Sequence, residues 1–335
     1  MIEKIQKLFA AGKQDDIFTS ISNGNIDSVR SCIDQGADLN GTSSSGVTPL
    51  MVAASKGNVG LITMLIASGA NPNGRGIIGN TPLMAAAMYG HIDAIDVLIH
   101  SGAKINVTNE DGWSALCFAM KDQDAAARYL LDLGADPNIR AEHSMPIYFQ
   151  CIHEGNIDLL KKFLEKGADI SLVNEDEWTG LMSASRYGHT EIVKMLIKAG
   201  SEVNSRNVFD ETALMWSAIE GHVAIVKELI KVKADIHVID KKGMNALFWS
   251  IYNCHHDVAK LLLDGGAEVN ITDKTYGATP LIIATSKNDE VCASLLVKFG
   301  ADVHATDRNG VSAINIARSS GSRKLKKILE ATMST

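Results

Sequence analysis

The chain has 335 residues, of which 46% are hydrophobic, 21% charged and 5% aromatic, and its formal net charge is −7 at pH 7. The hydrophobic content is typical of a folded protein, and the negative charge, with one short basic run at 323–327, argues against a nucleic-acid partner. Five cysteines without a C-x-x-C pair are typical of reduced thiols inside a cell, and no apolar run reaches the ~18 residues that a membrane span needs. We therefore expect a cytoplasmic protein, with the nucleus as the alternative, and neither nucleic acid nor a membrane as its partner.

Residues 1–12 are predicted to form an amphipathic segment. Ile2, Ile5, Leu8 and Phe9 fall on one face of a helix in this stretch. The segment is too short and too weakly charged for a membrane anchor, so we expect it to pack over the unit that follows.

Three short phrases recur along the rest of the chain with a period of 32 to 34 residues. The first phrase is GADLN at 36, GANPN at 69, GAKIN at 102, GADPN at 134, GADIS at 167, GSEVN at 200, KADIH at 233, GAEVN at 266 and GADVH at 300. The second is TPLM at 48 and 81, SALC at 114, PIYF at 146, TGLM at 179, TALM at 212, NALF at 245, TPLI at 279 and SAIN at 312. The third, between them, is Gly followed by His or Asn at 57, 90, 155, 188 and 221.

One period reads as a pair of short helices. Pro82 in the phrase TPLM suits the first position of a helix, and Gly90 suits the turn that ends it. A second helix then carries Ile95, Leu98 and Ile99 on one face. Because one such pair cannot bury its apolar face alone, each unit is expected to stack on its neighbours.

The period and the phrases resemble the ankyrin repeat, from about residue 14 to about residue 330. The resemblance implies an all-α solenoid of stacked helix pairs joined by hairpin-like loops, with no enzymatic activity. We expect an N-terminal capping repeat at 13–45, eight repeats at 46–309, and a C-terminal capping repeat with a tail at 310–335. The His of the family's Thr-Pro-Leu-His phrase is absent, which puts the family's His-mediated hydrogen bonds in doubt and favours apolar packing by Met51, Met84, Met182 and Met215.

The stretch GRGIIG at 74–79 matches the G-x-G-x-x-G pattern of dinucleotide-binding loops. A pyrophosphate site needs a strand before this pattern, whereas LIASGANPN reads as a helix end and a turn. We therefore expect no nucleotide and no other cofactor. Ile77 and Ile78 would then lie at a loop tip, where they are candidates for contact with a partner.

Cys254, His255 and His256 are residue types that bind zinc. In register, however, Cys254 fills the Gly position and His255 the His position of the third phrase, and no fourth ligand is evident. A structural role is favoured, so no metal site is predicted. No converging set of titratable groups indicates catalysis either, and we expect no enzyme.

Partners of similar proteins dock on the concave side, which hairpin tips and the ends of the first helices form. The candidates on this side are Trp113, Met145 and Trp178 before helix starts, Tyr89, Arg186, Tyr187 and Tyr252 at helix ends, and Ile77, Ile78 and Phe209 at hairpin tips. The alternative is that Trp113 and Trp178 only cover their own hairpins. For Trp216 and Trp249, core packing is favoured over an exposed ladder.

The expected partner is another protein. Acidic loop tips at 110–111, 142 and 175–176 favour a basic rim on that partner, and the free chain is expected to be a monomer. The favoured function is an adaptor or scaffold. The alternatives are a regulatory or inhibitory subunit that occludes an enzyme or transcription factor, and a microbial effector that imitates host interaction proteins.

Overall fold

The computed structural model describes residues 16–140 and 145–331, so the predicted amphipathic segment at 1–12 lies outside the described residues. The described residues form twenty α-helices and no strand. The helices are α1 (Asp16–Ser22), α2 (Ile26–Asp34), α3 (Pro49–Ser55), α4 (Val59–Ala67), α5 (Pro82–Met88), α6 (Ile92–His100), α7 (Ala115–Ala119), α8 (Asp124–Asp132), α9 (Phe149–Glu154), α10 (Ile157–Glu165), α11 (Gly180–Tyr187), α12 (Thr190–Lys198), α13 (Ala213–Ile219), α14 (Val223–Lys231), α15 (Ala246–Tyr252), α16 (His256–Asp264), α17 (Pro280–Ser286), α18 (Glu290–Lys298), α19 (Ala313–Ser320) and α20 (Arg323–Glu330).

The chain divides into two compact units, of which the first comprises residues 1–151 with 158–169 and the second residues 152–157 with 170–335. In the first unit, α3 packs against α5 and α5 against α7, while α4 packs against α6. In the second unit, α11, α13, α15 and α17 pack in sequence, and so do α12, α14, α16 and α18. Each unit is therefore a stack of helix pairs, which confirms the predicted all-α repeat fold.

The two helices of a pair are buried to different degrees. Every residue of α3 and of α5 is buried, whereas α4 buries only Leu61, Ile62 and Leu65. The first helices lie between neighbouring helices, and the second helices keep one polar face, as their amphipathic pattern requires. The apolar positions of the repeat are thus the core of each unit.

The second phrase begins eight of the first helices through a side-chain cap, with α1 and α9 as the exceptions for which no such cap is described. The hydroxyl of Thr48 accepts a hydrogen bond from the Met51 backbone N–H at 3.2 Å, and Thr81 does the same for Met84 at 3.3 Å. The methionine sulfurs reciprocate, since they accept from the backbone N–H groups of Thr48 at 3.5 Å and Thr81 at 3.3 Å. Apolar packing was expected at Met51 and Met84, which stand where the family has His. Their sulfur atoms also make a weak polar contact with the backbone.

The terminal Asn of the first phrase joins neighbouring repeats. The side-chain amide of Asn73 donates to the Gly102 carbonyl at 2.9 Å, and its oxygen accepts from the Lys104 N–H at 2.8 Å. The same pair of bonds is made by Asn40, Asn106, Asn138 and Asn270. The recurrence of Asn therefore has a physical cause, which is the satisfaction of backbone groups in the next loop.

Candidate protein-interaction surface

Two tryptophans and an arginine form a cluster on the surface of the second unit. Trp178 precedes α11, Arg186 lies in the last turn of α11, and Trp216 lies on α13. The two indole rings are 4.6 Å apart between centroids, and the Arg186 guanidinium lies 5.5 Å from the Trp178 ring and 4.9 Å from the Trp216 ring. We call these three residues, with Tyr187, the tryptophan–arginine cluster.

The hairpin before α11 positions the first of these rings. The backbone N–H of Trp178 donates to the Asn174 side chain at 2.9 Å, and the Asn174 N–H donates back to the Trp178 carbonyl at 3.3 Å. These bonds close the loop and direct Trp178 toward the end of α11. The short helix then brings Arg186 over the ring from its other end.

The cluster is accessible to a partner. Arg186 and Tyr187 are exposed, Tyr187 by 45%, while Trp178 and Trp216 are half-buried. The buried indole N–H of Trp216 has no acceptor within the described part of the chain. A buried donor without a partner costs about 1–3 kcal/mol, so this edge of the cluster is not optimised for the stability of the unit.

His153 extends the cluster. Its ring packs on Tyr187 at a centroid distance of 4.9 Å. Burial lowers the pKa of His153, and the positive charge of Arg186 and the neighbouring His189 lower it further. The neutral imidazole is thereby favoured at neutral pH.

A second group of aromatic and cationic residues lies one repeat further on, around α15. The Trp249 N–H donates to the buried carboxylate of Asp240 at 2.9 Å, and Lys242 lies 5.0 Å from the Trp249 ring. Tyr252 packs edge-on against Trp249 at 5.8 Å, with Lys287 at 4.6 Å from its ring. Trp249, like Trp216, is half-buried, which lies between the two predicted alternatives.

The remaining candidate residues do not join the tryptophan–arginine cluster. Phe209 is 51% exposed at a hairpin tip of the second unit. In the first unit, half-buried Trp113 packs on Phe118 at 5.3 Å, and Tyr89 stacks on His91 at 6.2 Å. Ile77 is 47% exposed, whereas Ile78 and Met145 are half-buried.

The GRGIIG stretch forms a contact between repeats. Its last three residues make a 3₁₀ turn, and the Ile77 N–H donates to the Gly46 carbonyl at 2.6 Å. A Cβ added at Gly76 would lie 2.6 Å from the same carbonyl, so only glycine fits there. The preceding residues are α4 and a turn, as predicted, and the glycine pattern is explained by the close approach of two loops.

The His of the third phrase bonds a backbone carbonyl of the preceding repeat. The Nε2 atoms of these residues lie 2.9 to 3.4 Å from carbonyl oxygens at His91, His189, His222 and His255. His255 thus occupies the position that the register predicts. His256 does not follow this pattern, since its Nε2 pairs with the Asp289 carboxylate at 2.9 Å, beside the thiol of Cys292.

The surroundings of the His256–Asp289 pair shift the pKa values of Asp289 and of the neighbouring Cys292. Burial by itself would raise the pKa of Asp289, but hydrogen bonds from Cys292 and His256 outweigh it and the pKa is lowered. Burial raises the pKa of the Cys292 thiol, as does its hydrogen bond to Asp289. His256 belongs to a different repeat from Asp289 and Cys292, so the repeat pattern by itself does not connect them.

The stacked helix pairs and capped first helices define an all-α repeat protein of the kind that presents its loops and helix ends to partners. Comparison with known protein families supports this assignment to the all-α repeat proteins. The family described as "Ankyrin repeats (3 copies)" matches residues 74–141, 148–240, 199–273 and 247–332, and the one described as "Ankyrin repeats (many copies)" matches residues 17–66. The chain belongs to the ankyrin-repeat family and is a protein–protein interaction module.

Comparison with curated proteins gives no match. Within the described residues, no helix has both the length and the apolar character needed to cross a bilayer.

Proposed function

We propose that this protein is a non-enzymatic adaptor or scaffold that binds a partner protein through the tryptophan–arginine cluster and the loop tips beside it. The observation that carries the proposal is the exposed guanidinium of Arg186 held over two tryptophan rings. Trp, Tyr and Arg are the residue types that dominate the binding energy of protein interfaces. The free chain is proposed to be a monomer in the cytoplasm, where its five thiols stay reduced.

The arrangement of the cluster favours binding over a purely structural role. Arg186 makes no ion pair with a carboxylate among the described residues. Its position over the rings leaves its N–H groups available to acceptors on a partner. Tyr187 offers a rigid apolar face at low cost in side-chain entropy.

Charge around the cluster suggests the character of the partner. Glu175 and Asp176 are exposed at the tip of the hairpin that holds Trp178. A partner with basic residues around an apolar centre would complement this surface and would associate faster at low salt. This supports the basic rim proposed for the partner.

A regulatory or inhibitory subunit is the second candidate, because occlusion of an enzyme or transcription factor would use the same surface. The two functions differ in stoichiometry. An adaptor holds two partners at once, whereas an inhibitor holds one and suppresses its activity. A microbial effector that imitates host proteins would bind in the same way. The organism that produces the protein would distinguish such an effector from the other two candidates.

The proposal is tested by placing a photo-cross-linking amino acid at Tyr187, with the same substitution at Val291 as the control. Val291 is 51% exposed near the start of α18, three helix pairs further along the chain than Tyr187. We expect a partner to be cross-linked from position 187 and not from position 291. With that partner purified, Arg186→Ala should weaken binding by about 2 kcal/mol, a ~30-fold rise in Kd, and Val291→Ala should leave it unchanged. Equal cross-linking from both positions, or an unchanged Kd for Arg186→Ala, would contradict the proposed surface.

A further inference from the structure

In the second unit, four residues that depart from the repeat pattern lie where two consecutive repeats meet. We call each such meeting of consecutive repeats a step. In the step before this one, Gly221 and His255 fill the Gly and His positions, and Val258 fills the apolar position three residues after the His. In the next step these positions hold Cys254, Asp289 and Cys292. The position after the His, which is Val223 on α14, is His256 on α16.

These substitutions are compatible with one another. A Cβ added at Gly221 would lie 2.6 Å from the His255 ring, so a side chain there requires a smaller neighbour. Cys254 has a side chain at that position, and the equivalent of His255 is the smaller Asp289. The exchange removes the imidazole-to-carbonyl bond of the other steps and places a carboxylate against α16 instead.

The resulting side chains converge. The ligand atoms of His256, Asp289 and Cys292 all lie within 4.8 Å of one another. The Asp289 side chain is 7% exposed and Cys292 is fully buried, while the His256 side chain is 42% exposed. The group therefore has a buried floor and one side open to solvent.

Backbone bonds hold this geometry in place. One oxygen of Asp289 accepts from the Cys292 N–H at 3.0 Å and caps α18, which fixes the carboxylate and the thiol relative to each other. The other oxygen faces the His256 Nε2. In a tetrahedral zinc site with bonds of about 2.0–2.1 Å, two such atoms are about 3.3 Å apart, so the observed 2.9 Å needs to widen only slightly.

We propose that His256, Asp289 and Cys292 form a binding site for a divalent metal ion of the zinc class, with the fourth coordination position taken by solvent. Imidazole, thiolate and carboxylate are the donor set that zinc uses, and the thiolate disfavours magnesium and calcium. Because His256 begins α16 and the other two ligands belong to α18 and its cap, a bound ion would link two consecutive repeats.

The site is tested with Co²⁺ as a spectroscopic probe of zinc. The full chain would carry Cys32→Ser and Cys254→Ser, which remove the two thiols that are not buried. In this background we expect one equivalent of Co²⁺ to produce a thiolate-to-cobalt charge-transfer band and the visible bands of tetrahedral cobalt, both abolished by Zn²⁺. Zn²⁺ should also raise the midpoint of thermal unfolding, since an ion that binds only the folded state stabilises it.

Two further variants assign the ligands. His256→Gln, a change on the open side of the site, should weaken Co²⁺ binding at least tenfold and leave circular dichroism unchanged. Cys292→Ala should abolish the charge-transfer band, while Cys151→Ala, at a buried thiol of the first unit, should retain it. Absence of the band in the Cys32→Ser/Cys254→Ser background, or its retention in Cys292→Ala, would overturn the site.

Discussion

At the scale of single residues, Arg186 is the member of the candidate surface that lies close to all three of its aromatic rings. Its guanidinium lies over two indole rings and within 6.0 Å of the Tyr187 ring. An arginine in this position gains cation–π attraction without losing its hydrogen-bond donors, which a partner's carbonyl or carboxylate groups would need. Lysine at 186 would keep the charge but not the planar stacking.

The protonation of His153 gives a measurable signature of this arrangement. Burial against Tyr187 and the charge of Arg186 lower the pKa of His153, so its folded-state pKa lies below that of the unfolded chain, about 6.5. The stability that this neutral imidazole contributes is complete above about pH 6.5 and is lost as the pH falls through the lowered pKa. Arg186→Gln should raise the pKa of His153 part of the way back, because burial remains. An NMR titration of the His153 ring would measure the change, and an identical midpoint in both proteins would refute it.

At the scale of elements, α13 and α15 present tryptophan at the same register position with different hydrogen bonding. The Trp216 N–H on α13 is buried and has no acceptor in the described chain, whereas the Trp249 N–H on α15 donates to Asp240. Asp240 also accepts from the backbone N–H groups of Lys242 and Met244, each at 2.9 Å. Trp249 therefore completes the hydrogen bonds of a buried carboxylate, and Trp216 completes nothing comparable.

Phenylalanine substitutions should separate the two tryptophans. Both changes remove the same indole ring and N–H, but only Trp249→Phe leaves a buried carboxylate with one hydrogen bond fewer. A hydrogen bond to a charged group contributes about 1.5–3 kcal/mol, so Trp249→Phe should lower the free energy of unfolding by about 1–2 kcal/mol more than Trp216→Phe. Urea denaturation followed by circular dichroism would compare the midpoints. Equal losses would show that Asp240 is satisfied without the indole.

The loops between helices show the same division between sequence and geometry. The Asn residues of the first phrase recur visibly, yet their role as bridges to the next repeat depends on loops being brought side by side. Gly76 is similar, since its need for glycine comes from the Gly46 carbonyl, a contact 30 residues away in the chain. Periodicity located the Asn positions and the glycine pattern pointed to Gly76, while packing explains why both residues are needed.

At the scale of the whole molecule, the last described helix, α20, departs from the apolar pattern of the other second helices. In α20, Leu325 and Leu329 are buried, whereas Lys326 and Glu330 occupy the positions that Ile95 and Ile99 hold on α6. Lys326 is half-buried and Glu330 exposed, so the outer face of this helix is polar. A polar outer face of this kind disfavours the stacking of another repeat or of a second copy on it.

Lys326→Leu combined with Glu330→Leu should therefore cause self-association. The double variant restores the apolar pattern of the earlier repeats on a face that packs against no helix among the described residues. We expect analytical ultracentrifugation to show concentration-dependent dimers or larger species with little loss of helix content. The matched control, Lys326→Gln with Glu330→Gln, removes the charges without adding apolar surface and should sediment like the wild type. Association of the control as well would assign the effect to charge alone.

The sequence by itself determined the architecture, because a stack of repeats uses local rules. Helix caps, turn glycines and apolar spacing act within about 33 residues, so each repeat specifies its own helix pair and the face that must be buried. The same reasoning placed GRGIIG after a helix end and a turn and assigned His255 to the repeat turn. It also selected Trp178, Arg186 and Tyr187 as candidates on one face.

Only the tertiary structure decided which side chains meet. Trp216 joins the cluster from the next repeat, and Asp289 and Cys292 reach His256 from a different helix pair. Such contacts depend on the rotation between neighbouring repeats and on the side-chain rotamers that packing selects. The periodicity of the sequence encodes neither of these. The physical reason is that a repeat fixes its own backbone locally, whereas a binding site forms from side chains that adjacent repeats bring within a few ångströms of each other.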